Sequence, residues 1–219
     1  MPRLLFEKKG NAVWISHLDL MRLFQRAFQR AGLNLTHTQG YNPRPSVSIA
    51  LPLSVGVESA CELLDFELDG QVVDNKEIQA RLNNCLVEGI KVLRVYDNAQ
   101  KIRELAYLDC AVTLEYDAGI DACAAAEIQE LFGRDTLTVT KKGKNGPTEQ
   151  DIIPMICSIR VILETENSIR LDARVCCQNP SLNPALLAQA VEKYLPHRKP
   201  DHSFCARKEI YSLKENIFR

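Results

Sequence analysis

The stretch "LDLMRLFQRAFQRAGL", residues 18–33, carries the clearest structural signal in the chain. Its apolar residues recur every three or four positions, so they share one face of a helix. They are Leu20, Leu23, Phe24, Ala27, Phe28 and Ala31. Gly32 follows them, and glycine commonly ends a helix because it adopts the left-handed conformation without strain. The spacing therefore predicts an amphipathic helix that is buried along one face.

Segments with strand character flank this helix in a regular order. The helix is preceded by "RLLFEKK" and, after a turn at Gly10 and Asn11, by a short extended stretch, "AVWIS". It is followed by two strands, "SVSIALPLSV" and "CELLDFELDG", a second helix in "DNKEIQARLNNCLVEG", and a last strand, "IKVLRVYD". The predicted order is β-α-β-β-α-β, which is typical of a ferredoxin-like split β-α-β unit.

The second half of the chain repeats this order, with one additional strand. We therefore expect an α+β protein made of two tandem ferredoxin-like domains with antiparallel sheets, residues 1–105 and 106–219. The polar segment "KKGKNGPTEQD", residues 141–151, predicts an inserted hairpin tip or a mobile loop in the second domain. Its arms would be the neighbouring "TLTVT" and "IIPMI".

Composition excludes several classes of protein. The formal net charge of -1 excludes a globally basic nucleic-acid binder, although a local basic face remains compatible with it. Charges interrupt the first residues, and no apolar run approaches membrane-spanning length, so we expect a cytoplasmic protein without a membrane partner. The eight cysteines include no C-x-x-C pair, and we expect neither a metal site nor a cofactor on this chain.

Between Asp19 and Glu58, every charged residue is basic. Arg22, Arg26 and Arg30 recur every four positions and form one stripe along the predicted helix. Residues 20–57 contain no acidic residue, whereas a solvated helix normally carries both signs of charge. The natural partner of such a stripe is an anion such as the phosphate of RNA or DNA. Alternatively, acids from elsewhere in the fold, such as Glu58 or Glu62, neutralise it.

A stiff loop follows the stripe in "QGYNPRPSVSIA", residues 39–50. Gly40 permits a positive φ, while Pro43 and Pro45 fix the backbone on either side of the residue between them. The loop would hold three side chains that lose little entropy on binding: Tyr41, Asn42 and Arg44. Tyr41 could stack on a base and Arg44 could contact phosphate. A purely structural crossover, with Tyr41 closing the core, is the alternative.

The start of the predicted helix has both a structural and a chemical interpretation. Ser16 and Asp19 have the spacing of a capping box, which by itself explains both residues. His17 lies in the first turn, where the helix dipole favours a neutral imidazole suited to a general base or a substrate contact. The alternative is a half-buried histidine at the edge of the apolar face.

Two further charged positions complete the candidate site. Lys8 flanks the first turn, and with Lys141, Lys142 and Lys144 it could extend a basic rim, although such lysines are often only solvated. Glu58 would fall at the turn between two strands, where it either orients Arg44 or His17 or lies in water.

Three motifs resemble one bacterial family. "FEKKG" at residues 6–10, "SHLDLMR" at 16–22 and "GYNPRP" at 40–45 are similar to the motifs of the radical SAM-linked proteins of unknown function. Tyr41 stands where that family usually has Phe. The resemblance implies a partnership with a cobalamin-binding radical SAM protein, which is either encoded beside this domain or fused to it. This chain lacks the C-x-x-x-C-x-x-C motif that holds the iron–sulfur cluster of such enzymes.

Three functions remain open at this point. The first is a non-catalytic accessory subunit that binds tRNA or rRNA and presents it to the radical SAM partner for modification. The second is a metal-independent endoribonuclease that uses His17 with His37 or Lys8, since tandem ferredoxin-like domains look similar to CRISPR repeat-processing nucleases. The third is an adaptor whose arginine stripe docks on the radical SAM enzyme itself.

Overall fold

A computed structural model describes residues 2–70, 72–97, 99–143 and 146–219. The chain is a mixed α/β protein with antiparallel strand pairing and, among these residues, four α-helices. It divides into two compact units, here called unit 1 (Met1–Glu104 with Phe218–Arg219) and unit 2 (Leu105–Ile217). No helix in the described ranges has the length and apolar character needed to cross a bilayer.

The described residues of unit 1 form two α-helices and four strands. Its strands are β1 (Arg3–Lys8), β2 (Val47–Ile49), β3 (Val57–Phe66) and β4 (Ile90–Tyr96), and its helices are α1 (His17–Arg30) and α2 (Asn75–Asn83). Strand β1 pairs antiparallel with both β3 and β4, and β2 pairs antiparallel with β3. The strand order within the unit is therefore β4-β1-β3-β2.

The core of unit 1 lies between α1 and the sheet. Phe6 of β1 meets Phe24 of α1 edge to face, with ring centroids 4.7 Å apart. One turn further along, Phe28 packs against Phe66 of β3 at 5.0 Å. Leu20, Phe24, Ala27 and Phe28 are buried, as the apolar spacing of α1 predicts.

Two strand predictions in unit 1 are wrong. The stretch "AVWIS" is not extended, because residues Gly10–Trp14 form a 3₁₀ helix whose turn is closed by bonds such as Ala12 N to Lys9 O at 3.2 Å. In "SVSIALPLSV" only Val47–Ile49 pairs as a strand, and the following residues form a loop. Single 3₁₀ turns have no apolar periodicity, so the sequence pattern cannot reveal them.

Unit 2 repeats the arrangement with one inserted hairpin. Its strands are β5 (Leu105–Glu115), β6 (Thr138–Gly143), β7 (Gly146–Asp151), β8 (Ile156–Thr165), β9 (Ser168–Cys176) and β10 (His202–Ser212), and its helices are α3 (Ala124–Leu131) and α4 (Ala185–Tyr194). The antiparallel order within the unit is β10-β5-β9-β8. Strands β6 and β7 pair separately with each other.

The inserted hairpin differs from its predicted form. Its second arm is "GPTEQD", residues 146–151, and not "IIPMI", because Ile153–Met155 forms a 3₁₀ turn around a proline that has no N–H to donate. Lys144 lies outside the described residues. Lys193 of α4 bonds to both arms of the hairpin. Its ammonium donates to the Thr138 carbonyl at 2.9 Å and pairs with the Glu149 carboxylate at 3.3 Å.

An ion cluster on unit 2 predicts how stability depends on pH. Hydrogen bonds to the carboxylate lower the pKa of Glu127 to about 2. Arg198 donates the bonds with the larger effect, and His197 donates the bond with the smaller effect. A carboxylate with a lowered pKa stabilises the folded state above its unfolded pKa and stops doing so as it becomes protonated. We therefore expect stability to fall as pH drops from about 4.5 to 2.

Urea unfolding of wild type and Glu127→Gln across this pH range measures the effect. The variant should be less stable near neutral pH and should show a flatter pH dependence. Glu130→Gln, on an exposed residue of the same helix, is the matched control and should follow the wild type. Identical curves for Glu127→Gln and wild type would contradict the assignment.

Candidate functional site

The arginine stripe of α1 lines a groove on unit 1. This groove, here called the arginine groove, has a volume of about 460 Å³. Its far wall comes from the segment after α2, some sixty residues along the chain. The lining residues are Ile15, Asp19, Arg22, Leu23, Arg26, Arg30, Cys85 and Val87. All three arginines are exposed, so their guanidinium groups are accessible to a ligand.

The charge of the arginine groove is strongly positive. Arg22 pairs with Asp19 at 2.9 Å across one helical turn. Within the described residues, neither Arg26 nor Arg30 has a carboxylate in ion-pairing range. The acids that could have neutralised the stripe do not reach it: Glu58 accepts a bond from the Gly10 backbone N–H at 3.2 Å, and Glu62 is fully buried in β3. Three arginines thus face one acid, which favours an anionic ligand.

A second groove lies on the other flank of α1 and has a volume of about 560 Å³. It is lined by Gln25, Arg26, Gln29, Leu33, Asn34, Leu35, His37, Pro45 and Asp69. Here one arginine faces one aspartate, so the charges balance. Arg26 borders both grooves, and of the two only the arginine groove has an excess of positive charge to attract a phosphate.

The "GYNPRP" loop forms the tip of a narrow ribbon. Thr38 and Arg44 bond to each other, from Thr38 N to Arg44 O at 2.9 Å and from Arg44 N to Thr38 Oγ1 at 3.0 Å. Next to this pair, the backbones of His37 and Pro45 form an isolated antiparallel β-bridge. Gly40 at the tip has a φ of +149°, the positive φ that its lack of a side chain permits.

Side chains at the tip of this ribbon point into solvent. Tyr41, Asn42, Pro43 and Arg44 are all exposed, and Tyr41 is fully so. The alternative in which Tyr41 closes the core is therefore wrong. An exposed aromatic and an exposed guanidinium on a ribbon stiffened by two prolines remain available to a ligand.

Ser16 and Asp19 start helix α1. Ser16 Oγ accepts a bond from Asp19 N at 3.2 Å and donates to Asp19 Oδ2 at 2.7 Å. The Ser16 hydroxyl, with Arg22 next in importance, holds the pKa of Asp19 below its usual value. The carboxylate bonds the Ser16 hydroxyl and not the backbone N–H that a capping box would use. Both residues are thus committed to the helix terminus.

Removal of the cap has a predictable cost. Ser16→Ala should lower the free energy of unfolding by about 1 kcal/mol, because it leaves an N–H of the first turn without its side-chain acceptor. Ser16→Asn, which supplies another capping oxygen, should stay within a few tenths of the wild type. Urea unfolding followed by circular dichroism measures both variants. A Ser16→Ala protein as stable as the wild type would contradict the capping role.

His17 stands apart from the other candidate residues. Its side chain is half-buried, and among the described residues its Nδ1 is shielded from solvent with no hydrogen-bond partner. It lines neither groove, whereas His37 lines the second groove. The structure therefore does not bring His17 and His37 into one pocket as an acid–base pair.

Lys8 is not part of an exposed basic rim. It is fully buried, and its ammonium donates to the Ile15 carbonyl at 2.9 Å. This bond connects β1 to Ile15, two residues before α1. Lys9 is the exposed neighbour, and its partner Glu7, 2.7 Å away, raises its pKa. Lys8 is thus a buried structural residue and not part of an exposed rim, whereas its role as an acid–base partner of His17 stays a prediction.

Sequence reasoning missed half of the arginine groove. Cys85 and Val87 lie in the segment after α2, and Leu23 had been assigned to the core face. Nothing in the local pattern connects residues 85–87 to α1, because only the packing of α2 beside β4 brings them there. In the described part of the chain, no three His, Cys, Asp or Glu side chains cluster closely enough to hold a metal ion.

Comparison with known proteins assigns the chain to a family. The family model described as "Uncharacterized protein conserved in bacteria (DUF2344)" matches residues 2–184, and the chain belongs to this family. Among curated proteins, none matches the chain.

Two solved structures were matched to this chain. A chain of a Cbf5-Nop10-Gar1 complex superposes with a TM-score of 0.53 at 7% identity, over 95% of this chain and 48% of that one. The chain thus spans about half the length of that relative. An unknown protein from Galdieria sulphuraria matches over 94% of this chain and 96% of its own, at 11% identity and a TM-score of 0.26. At these identities the first likeness concerns the fold alone.

Proposed function

We propose that this chain is a non-catalytic accessory subunit that binds RNA, either tRNA or rRNA, and presents it to a cobalamin-dependent radical SAM partner. The observation that carries the proposal is the arginine groove, in which three exposed arginines face a single aspartate. Arginines four positions apart on a helix are separated by about 6 Å along its axis. That spacing is similar to the separation of successive phosphates in a nucleic-acid strand.

The loop ribbon supports the same function. Tyr41 offers an exposed aromatic surface for a base, and Arg44 offers an exposed guanidinium for a phosphate. The prolines beside Arg44 limit the entropy lost when the loop engages a ligand. We include Arg44 and Tyr41 in the RNA-binding surface for this reason.

The fold and the partner are also proposals. The strand orders β4-β1-β3-β2 and β10-β5-β9-β8, with two helices in each unit, support a ferredoxin-like assignment for both units. The proposal of a radical SAM partner rests on the resemblance of "SHLDLMR" and "GYNPRP" to the motifs of the radical SAM-linked family.

Equilibrium binding to fluorescein-labelled total tRNA tests the RNA half of the proposal. Anisotropy should report binding whose affinity falls steeply between about 50 and 200 mM salt, because phosphate contacts release counterions. Arg44→Ala should weaken binding with a smaller salt slope. A wild-type protein that binds neither total tRNA nor labelled rRNA at low salt would refute the proposal. The same samples, run on a denaturing gel, would reveal cleavage if His17 made the chain a nuclease.

Co-purification tests the partner half. Tagged protein, co-expressed with the cobalamin-binding radical SAM protein of its host, should retain that protein after nuclease treatment. If Arg22→Ala/Arg26→Ala abolishes retention of the protein partner and leaves tRNA affinity unchanged, the stripe is a protein-docking surface and the adaptor function replaces the RNA function.

A further inference from the structure

A cluster of exposed apolar side chains adjoins the arginine groove and takes no part in the site described so far. Trp14 is 68% exposed, Leu18 67% and Val55 51%. Trp14 is the only tryptophan of the chain and ends the 3₁₀ helix that precedes α1. Large apolar side chains grouped at a surface commonly mark a binding site.

The indole of Trp14 lies close to the backbone of Gly56. The Gly56 N–H donates to the Val13 carbonyl at 2.9 Å, which brings the loop after β2 beside the 3₁₀ helix. A Cβ on Gly56 would lie 3.6 Å from Cζ3 of Trp14, so the absence of a side chain at Gly56 leaves room beside the six-membered ring. Trp14 presents an aromatic surface to solvent.

Trp14 stands at the end of the arginine groove nearest the start of α1. The next residue along the chain, Ile15, lines that groove together with Asp19 and Arg22. Leu18 lies one helical turn before Arg22 on the same side of α1. A strand whose phosphates lie along the arginines would therefore bring its next base to the indole.

We propose that Trp14 stacks on an unpaired nucleobase, so that the RNA bound in the arginine groove is single-stranded at this point. This inference rests on the proposed RNA-binding function and names its substrate class. Bases inside a duplex already stack on one another, whereas an unpaired base exposes its face to an aromatic side chain. The neighbouring arginines favour a nucleic acid over an uncharged apolar partner, because they supply the charge that phosphates require.

Intrinsic fluorescence offers a direct test, since all tryptophan emission comes from Trp14. An unlabelled single-stranded RNA of about twelve nucleotides should quench this emission. The same RNA, annealed into a duplex, should quench it much less. Anisotropy with labelled RNA gives the affinities independently of the indole.

Variants complete the test. Trp14→Ala should bind the single strand about tenfold more weakly and the duplex almost as well as the wild type. Trp14→Phe, which keeps an aromatic ring, should recover part of the loss. Leu213→Ala, at a residue of unit 2 that is 67% exposed and lies outside the cluster, controls for the removal of exposed apolar area. Far-UV circular dichroism checks that the folded state persists.

The outcomes separate the two proposals. Binding of the single strand without quenching, or with equal affinity in Trp14→Ala, overturns the stacking inference and leaves the RNA-binding function in place. Absence of any RNA binding in the wild type overturns both, and points to a protein partner for the Trp14 cluster.

Discussion

Simultaneous replacement of Arg22, Arg26 and Arg30 by alanine is expected to weaken tRNA binding by about tenfold or more and to reduce the salt slope by about 2. Each guanidinium that contacts a phosphate displaces a counterion, and the slope of log K against log salt counts these contacts. The groove holds these three cations against one acid, so their removal would leave it with negative charge. Anisotropy titrations over a salt series measure both quantities.

The control for this prediction keeps the net charge change the same. Arg103, Arg134 and Arg160 are exposed arginines outside the groove, so the variant Arg103→Ala/Arg134→Ala/Arg160→Ala also removes three positive charges. This control variant should retain most of the wild-type affinity for tRNA and most of the slope of log K against log salt. Equal losses in both triple variants would mean that total charge, and not the groove, governs binding. Both should fold normally, since exposed substitutions of this kind change stability by about 0.5 kcal/mol or less.

Lys8→Ala is expected to lower the free energy of unfolding by about 3 kcal/mol, which would be the largest stability effect of any variant proposed for this chain. The substitution removes a fully buried side chain and the bond from its ammonium to the Ile15 carbonyl. It leaves a cavity and a carbonyl without that donor, and each of these costs free energy. Urea unfolding followed by circular dichroism measures the loss.

Lys91→Ala is the matched control for Lys8→Ala. Lys91 is exposed on β4, directly across from Glu7 of β1, so its loss should change stability by less than about 0.5 kcal/mol. A Lys8→Ala protein that is fully stable but binds tRNA poorly would instead return Lys8 to the binding surface.

The position of Lys8 in β1 predicts its burial, although its charge alone favours an exposed position. Lys8 follows Leu4 and Phe6 at every second position of β1, and alternate residues of a strand face the same side. Those two side chains are buried, and Lys8 is buried with them. The register of β1 therefore predicts the burial of Lys8, although lysine as a residue type favours exposure.

Helix α1 was the most predictable element, because its buried residues, from Leu20 to Phe28, repeat with the helical period over more than two turns. The exposure of Arg22, Arg26 and Arg30 follows from the same geometry. Cys85 and Val87 were not predictable as partners of this face, since long-range packing brings them to it. The closeness of Trp14 to Gly56 was hidden for the same reason.

Photochemical crosslinking of total tRNA to the wild-type protein, with mass-spectrometric mapping of the nucleotide-bearing peptides, tests the central claim most directly. The structure predicts crosslinks within residues 12–30, which include Trp14 and the groove arginines, and within residues 38–46, which include Tyr41. Crosslinks confined to unit 2, or none above those of an unrelated protein of similar charge, would contradict the claim that RNA binds along α1.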